Sequence, residues 1–217
     1  MRMFKLIIFD FDGVLVISND AHVEVCKRAL KKAGINREIR YDKITYYFGK
    51  PYRDVLKAIM DSDYTSEKLG IAYKEQRKLL YSGWFLENIK GIDGVREFLL
   101  NLKKKNIRLA LASGNERAFL DKVMGFLGLD GIFDLVLSAE DVSKSKPDPE
   151  MVYKAMKKFG VKPEETLFVG DARNDILAAK SARVRSAVVL TGVLSEKEAI
   201  EMKPDFIFET VLDLDVL

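Results

Sequence analysis

An apolar run, Leu6 to Phe9, ends in two carboxylates, Asp10 and Asp12, with Phe11 between them. Residues two apart on an extended chain point to the same side, so the aspartates converge while Phe11 turns back toward apolar surroundings. Gly13 then permits a tight turn. Two carboxylates about 4 Å apart repel by about 4 kcal/mol at an effective dielectric of 20, and Asp171 and Asp175, in GDARND, would add to that. Such a cluster needs a cation. With oxygen donors alone and no histidine or thiolate nearby, the cation expected is the hard, octahedral Mg2+. Ser113 and Gly114, after IRLALA, and Lys146, in SKPDP, offer a small polar loop and an ammonium to a phosphate dianion. In that setting Asp10 can attack phosphorus to form an aspartyl-phosphate, and Asp12 can protonate the leaving alkoxide and then activate water.

One edge of a fold must collect these groups. From residue 91 onward, short β-branched or aliphatic runs alternate with segments of helical period, the pattern of a parallel sheet built from βαβ units. Expected strands are Phe4 to Phe9, Ile107 to Ala112, Leu135 to Leu137, Thr166 to Val169, Ala187 to Leu190 and Phe206 to Phe208. Val95 to Lys105 and Met151 to Phe159 carry apolar stripes that suit helices lying on that sheet. Ligands of open parallel sheets bind beyond the carboxyl ends of the strands, where Asp10, Ser113 and Asp171 all fall. Residues 17–86 differ: they show helical periods and no strand. One helix runs through Cys26, Ala29, Leu30 and Ala33 to stop at Gly34, and others cover Pro51 to Met60 and Ser66 to Phe85. The chain therefore reads as an α/β core of residues 1–16 and 87–217 interrupted by a helical insert, 17–86.

Composition narrows the function classes. Of 217 residues, 36 are basic and 33 acidic, a net charge of +3, without a block of five like charges, so nothing argues for nucleic acid. The apolar N-terminus is short and cut by Asp10 and Asp12, which argues against a membrane span or signal peptide. Cys26 is the single cysteine and excludes an internal disulfide, and a cytoplasmic location is the expectation. His22 is the single histidine, which excludes histidine dyads and histidine zinc sites. The expected partner is a small phosphate ester, and the expected assembly is a monomer or homodimer.

In order along the chain, DFDGV, ALAS, SKPDP and GDARND resemble the four signature motifs of the haloacid dehalogenase superfamily. The likeness covers essentially the whole core, and the insert is similar to the helical cap of the phosphoglycolate-phosphatase and β-phosphoglucomutase branch. The resemblance implies a Rossmann-like doubly wound parallel sheet of order 3-2-1-4-5-6 with an inserted all-helical cap. It implies Asp10 as nucleophile and magnesium ligand, and Asp12 as acid/base and ligand through its backbone carbonyl. Asp171 would be the third ligand, Asp175 a support of the metal shell, and Ser113, the Gly114 amide and Lys146 the holders of the phosphoryl group.

Plainer roles stand beside these. Ser113 could cap the following helix, Asp175 could cap the helix through Ile176, and His22 could be a merely partly buried side chain rather than a substrate contact. Arg53, in GKPYRD, reads equally as a substrate contact or a solvated helix arginine. Departures from the family pattern matter too. Ile17 and Ser18 stand where many capped relatives have Asp-Ser, which motivates a noncatalytic binding protein as one reading. His22, twelve residues after Asp10, resembles the sugar phosphomutases, whereas Gly170 before Asp171 is the phosphatase form. A Mg2+-dependent phosphatase is the leading expectation and a sugar phosphomutase the alternative.

Overall fold

The computed structural model describes residues 4–216. Six strands form one parallel sheet: β1 (Leu6–Phe9), β2 (Arg108–Ala112), β3 (Leu135–Leu137), β4 (Thr166–Gly170), β5 (Arg185–Val189) and β6 (Phe206–Phe208), in the order β3-β2-β1-β4-β5-β6. This is the doubly wound arrangement expected, with β1 central. Alternation along β1 explains why that strand is apolar throughout. Ile7 and Phe9 pack into one core layer while Leu6 and Ile8 pack into the other, and each such side chain contributes roughly 1.5–3 kcal/mol on burial.

Five α-helices lie between the strand pair Val16–Ile17 and Lys90–Gly91: α1 (Asn19–Lys32), α2 (Tyr41–Thr45), α3 (Tyr52–Met60), α4 (Ser66–Leu80) and α5 (Gly83–Glu87). Apolar residues of α1 to α4 form a cluster of their own around Cys26, Leu30, Ile44, Leu56 and Ile59, while Phe85 of α5 packs into the sheet core. The remaining helices are α6 (Val95–Lys104), α7 (Arg117–Leu127), α8 (Glu150–Phe159), α9 (Arg173–Ala182) and α10 (Glu196–Met202). Val95, Phe98 and Leu99 of α6 join Phe119 and Leu120 of α7 on one face of the sheet; Met151 and Val152 of α8 join Ala179 of α9 on the other.

Two local expectations are corrected. A single helix over Ser66 to Phe85 is broken, because Ser82 adopts extended dihedrals (φ −81°, ψ 161°) and its hydroxyl donates to the Leu79 carbonyl, ending one helix before Gly83 begins the next. A strand does occur at the start of the insert: Val16–Ile17 pairs antiparallel with Lys90–Gly91 where the chain leaves and rejoins the core. Two-residue strands leave no readable alternation in a sequence, which is why they were not expected.

Candidate active site

Register places the site. Phe9 lies opposite Leu111 on β2 and Val169 on β4, so Asp10 emerges between the carboxyl ends of both neighbours, beside Ala112 and Gly170. The next residues of those strands are Ser113 and Asp171. Gly13, at a left-handed φ of 73°, turns the chain back after Asp12.

Asp10, Asp171 and Asp175 form one buried group, each presenting a carboxylate oxygen within 4.8 Å of the others. Lys146 is driven into this group with no exposed side-chain surface. Its Nζ lies 2.9 Å from Asp10 Oδ1 and 2.7 Å from Asp175 Oδ1, and donates to the Ala112 carbonyl at 3.1 Å. All three ammonium protons are thereby used. Asp171 accepts from the Val193 amide at 3.0 Å and from Asn19 Nδ2 at 3.3 Å. Asp175 has two roles at once: one oxygen meets Lys146, and the other accepts the Ala172 amide at the start of α9.

Three carboxylates against one ammonium cannot all remain ionised away from water. Burial, and then the charge of Asp175, push the Asp10 carboxyl up to about 7 despite Lys146. Burial, with Asp175 and Asp10, pushes Asp171 well above the usual range. Burial alone would lower Lys146, but Asp10 and Asp175 outweigh it and hold the ammonium firmly charged.

Asp12 has gone the other way. Only a fifth of its side chain is exposed, yet its oxygens accept Ser18 Oγ at 2.6 Å, Asn115 Nδ2 at 2.6 Å and His22 Nε2 at 2.6 Å. Burial would raise its carboxyl, but His22 and then these other donors win and lower it. The repulsion expected chiefly between Asp10 and Asp12 is therefore carried instead by Asp10, Asp171 and Asp175. Asp12 pushes Asp10 less than Asp175 does, its own side chain being bonded to Ser18, His22 and Asn115.

His22 is buried, 3% exposed, among the rings of Phe48, Phe85 and Phe119, and its Nδ1 is hydrogen-bonded to the hydroxyl of Tyr52. Ser113 is buried, and its hydroxyl accepts the Asn115 amide at 3.2 Å rather than capping α7. Gly114 lies against the insert, where an added Cβ would come within 2.9 Å of the Gly49 carbonyl. A cavity of about 40 Å³, room for a few waters or a small ion, is lined by Asp10, Asp12, Asn19, His22, Ser113 and Asp171. Arg53 does not line it but lines the adjoining cavity, which shares Tyr52, Gly114 and Asn115 with this one. The arginine is exposed, with its guanidinium 5.5 Å from the Tyr73 ring.

Sequence reasoning missed Tyr52, Ser18 and Asn19 as members of this site, and placed Asn115 at this sheet edge without a role. Tyr52 adjoins Arg53 in GKPYRD, and its hydroxyl, rather than the arginine, reaches inward. Ser18 follows the departure at Ile17 and donates to Asp12. The donor set of Asp10, Asp171 and Asp175 consists of oxygen alone, buried and deficient in positive charge, which fits a hard divalent cation.

Comparison with known proteins agrees with this geometry. Residues 7–189 match the model of the haloacid dehalogenase-like hydrolase family. The chain is 30% identical over 208 residues to the pyrophosphatase PpaX of Anoxybacillus flavithermus, covering 96% of this chain and 94% of that protein. It is 29% identical over 214 residues to the phosphoglycolate phosphatase of Aquifex aeolicus, covering 97% and 94%. A crystal structure of a predicted phosphoglycolate phosphatase from Haemophilus somnus superposes with a TM-score of 0.86 at 28% identity, covering all of this chain and 98% of the other. The chain belongs to the haloacid dehalogenase-like hydrolase family, and is an enzyme of its phosphoglycolate-phosphatase and β-phosphoglucomutase-like branch. Among the described residues, no helix is long and apolar enough to cross a membrane.

Proposed function

We propose that this enzyme is a Mg2+-dependent phosphatase acting on a small phosphorylated metabolite through an aspartyl-phosphate. The observation that carries the reading is the separation of two neighbouring carboxylates: Asp10 in a buried acidic cup with Lys146, and Asp12 on the same cavity but held by His22, Ser18 and Asn115. Asp10 Oδ attacks phosphorus, the P–O bond to the leaving group breaks, and Asp12, which must first take up a proton from solvent because its donors favour the carboxylate, gives that oxygen its proton. Asp12, now a carboxylate, takes a proton from water, which attacks phosphorus and releases Asp10 and inorganic phosphate. His22 is suited to hold Asp12 in place, and Ser113 and the Gly114 amide to hold the phosphoryl oxygens. Asp10, Asp171, Asp175 and the Asp12 carbonyl would hold Mg2+, which when bound offsets the cluster's charge and that of the phosphoryl oxygens. Lys146 supports Asp10 and Asp175 from below.

The names of the relatives support a phosphatase, and so does Gly170: a Cβ there would lie 2.3 Å from the Asp175 Cβ, so a glutamate of the phosphomutase pattern has no room without moving Asp175. The phosphomutase reading rests on His22 alone and predicts conversion of β-glucose 1-phosphate to the 6-phosphate with a bisphosphate activator. Residues 17–86 act in this reading as a cap over the core of residues 1–16 and 87–217. Its support is the direct contact of the two parts: Asn174 Nδ2 donates to the Phe48 carbonyl at 2.7 Å, and the Gly49–Lys50 backbone packs against Gly114. The purified protein should release phosphate from p-nitrophenyl phosphate with Mg2+ and stop with EDTA. An Asp10→Asn variant with full turnover would exclude the aspartyl-phosphate route.

A further inference from the structure

Asp171 is held by two segments that lie outside all four signature motifs. Its Oδ2 accepts from Asn19 Nδ2, in the first turn of α1, and from the Val193 amide, in the loop after β5. The next amide of that loop, Leu194, donates to the Asp171 backbone carbonyl at 3.2 Å. Gly192 lies so close that an added Cβ would fall 2.0 Å from the Asp171 Cβ, so the loop rests directly on the aspartate. Both side-chain bonds to Asp171 fall on Oδ2, and Oδ1 is the oxygen left to meet a cation.

The same loop grips the turn after Asp12. Thr191 Oγ1 donates to the Gly13 carbonyl at 2.6 Å, and the Gly13 amide donates to the Val16 carbonyl at 2.8 Å, so both peptide groups of Gly13 are fixed. One of those peptide groups carries the Asp12 carbonyl. An added Cβ on Gly13 would come within 2.2 Å of Asp171 Oδ2 and 2.7 Å of Asn19 Nδ2, which puts turn, aspartate and amide in direct contact. Asn19 has no other employment in the fold. It is 6% exposed, its Nδ2 reaches Asp171, and its Oδ1 has no hydrogen-bond partner among the described residues. A buried acceptor without a partner is costly, and an apolar side chain of similar shape would suit this place better if packing were the only demand.

We propose that Asn19 and Thr191 are positioning residues for metal binding, Asn19 acting through Asp171 and Thr191 through the Gly13 turn that presents the Asp12 carbonyl. The proposal rests on the Mg2+-dependent reading above and adds to it two residues that touch neither cation nor substrate. Groups that orient a ligating oxygen change metal affinity by roughly 10–100-fold when removed, although every ligand stays in place.

The test is metal binding in the absence of substrate, with Mn2+ titrated into the metal-free protein and the free ion counted by electron paramagnetic resonance. Asn19→Leu and Thr191→Val should each raise the Mn2+ Kd by about tenfold or more. Thr191→Ser, which keeps the hydroxyl, should bind close to the parent. The Mg2+ concentration that half-saturates phosphate release from p-nitrophenyl phosphate should rise in step with the Mn2+ Kd. A merely structural role would lower the Tm of the metal-free protein and leave the Kd of its folded fraction where it was. Should Asn19→Leu fail to fold, Asn19→Ala carries the same expectation. An unchanged Kd in the folded Asn19 variant or in Thr191→Val, or a Thr191→Ser as weak as Thr191→Val, overturns the proposal while leaving the phosphatase standing. A parent protein that binds no Mn2+ overturns the metal-dependent reading itself, and this one with it.

Discussion

Asp10 and Asp12 are the same residue type, two positions apart at the end of one strand, and their carboxyls are driven in opposite directions. Around Asp10 are two further buried carboxylates and one ammonium; around Asp12 are a hydroxyl, a side-chain amide and an imidazole. Like charge and burial win at the first, donors win at the second. The lesson is that the role open to a carboxylate here follows from its surroundings. One is set against like charges in a buried group, and the other is held and oriented by its donors.

The comparison is broken most severely by exchanging the two groups' chemistry. Asp10→Asn should remove turnover of p-nitrophenyl phosphate by about 10³-fold or more, leaving no covalent phosphate on the protein after acid quench. Asp12→Asn should slow steady-state release by roughly 10²–10⁴-fold, with the phosphoryl-enzyme still forming from p-nitrophenyl phosphate, whose leaving group needs little acid help. Equal loss of the covalent intermediate in both variants would erase the distinction drawn between them.

Lys146→Met tests the first surroundings alone. It removes the sole ammonium from a group of three buried carboxylates, so denaturant unfolding should register a loss of about 3–5 kcal/mol, partly recovered by Mg2+. Tyr52→Phe tests the second. It frees His22 on the side away from Asp12 and should lower kcat by about tenfold with KM little changed, whereas a substrate-binding role for the tyrosine would raise KM instead.

The smallest effect is one of pH. Asp10 titrates near 7 in the folded protein and near 4 when unfolded, so between those values the folded state binds the extra proton and stability falls as pH rises. Asp171 acts in the same direction. Asp12 contributes oppositely, stabilising above the ordinary carboxylate range and losing that only as pH falls through its lowered value. Metal-free protein should lose roughly 5 °C in Tm between pH 5 and 7.5, and Mg2+ should raise Tm more at pH 7.5 than at pH 5. A metal-free Tm that climbs over this interval would contradict the strain assigned to the Asp10 group.

Much of this was legible before the fold was known. The apolar run Leu6 to Phe9, the strands read as ending at Ala112 and Val169, and the polar residues that follow each are local patterns, and a parallel sheet brings such strand ends to one edge whatever its loops do. The break at Ser82 was not legible, since that residue's dihedrals decide it, and neither was the strand at Val16, which at two residues is too short to show alternation. Arg53 drew attention by type and lines the larger neighbouring cavity, whereas Tyr52 lines both cavities and bonds His22.

By itself, then, the sequence determined which groups could do chemistry here and that they share an edge, because composition and strand order are written in short runs of residues. Only the tertiary structure decided that Lys146 is drawn beneath Asp10 and Asp175, and that Asp12 parts from Asp10 to join His22 and Asn115. Charge, burial and hydrogen bonding act through space over a few ångströms, and those neighbours come from segments that only folding brings within reach.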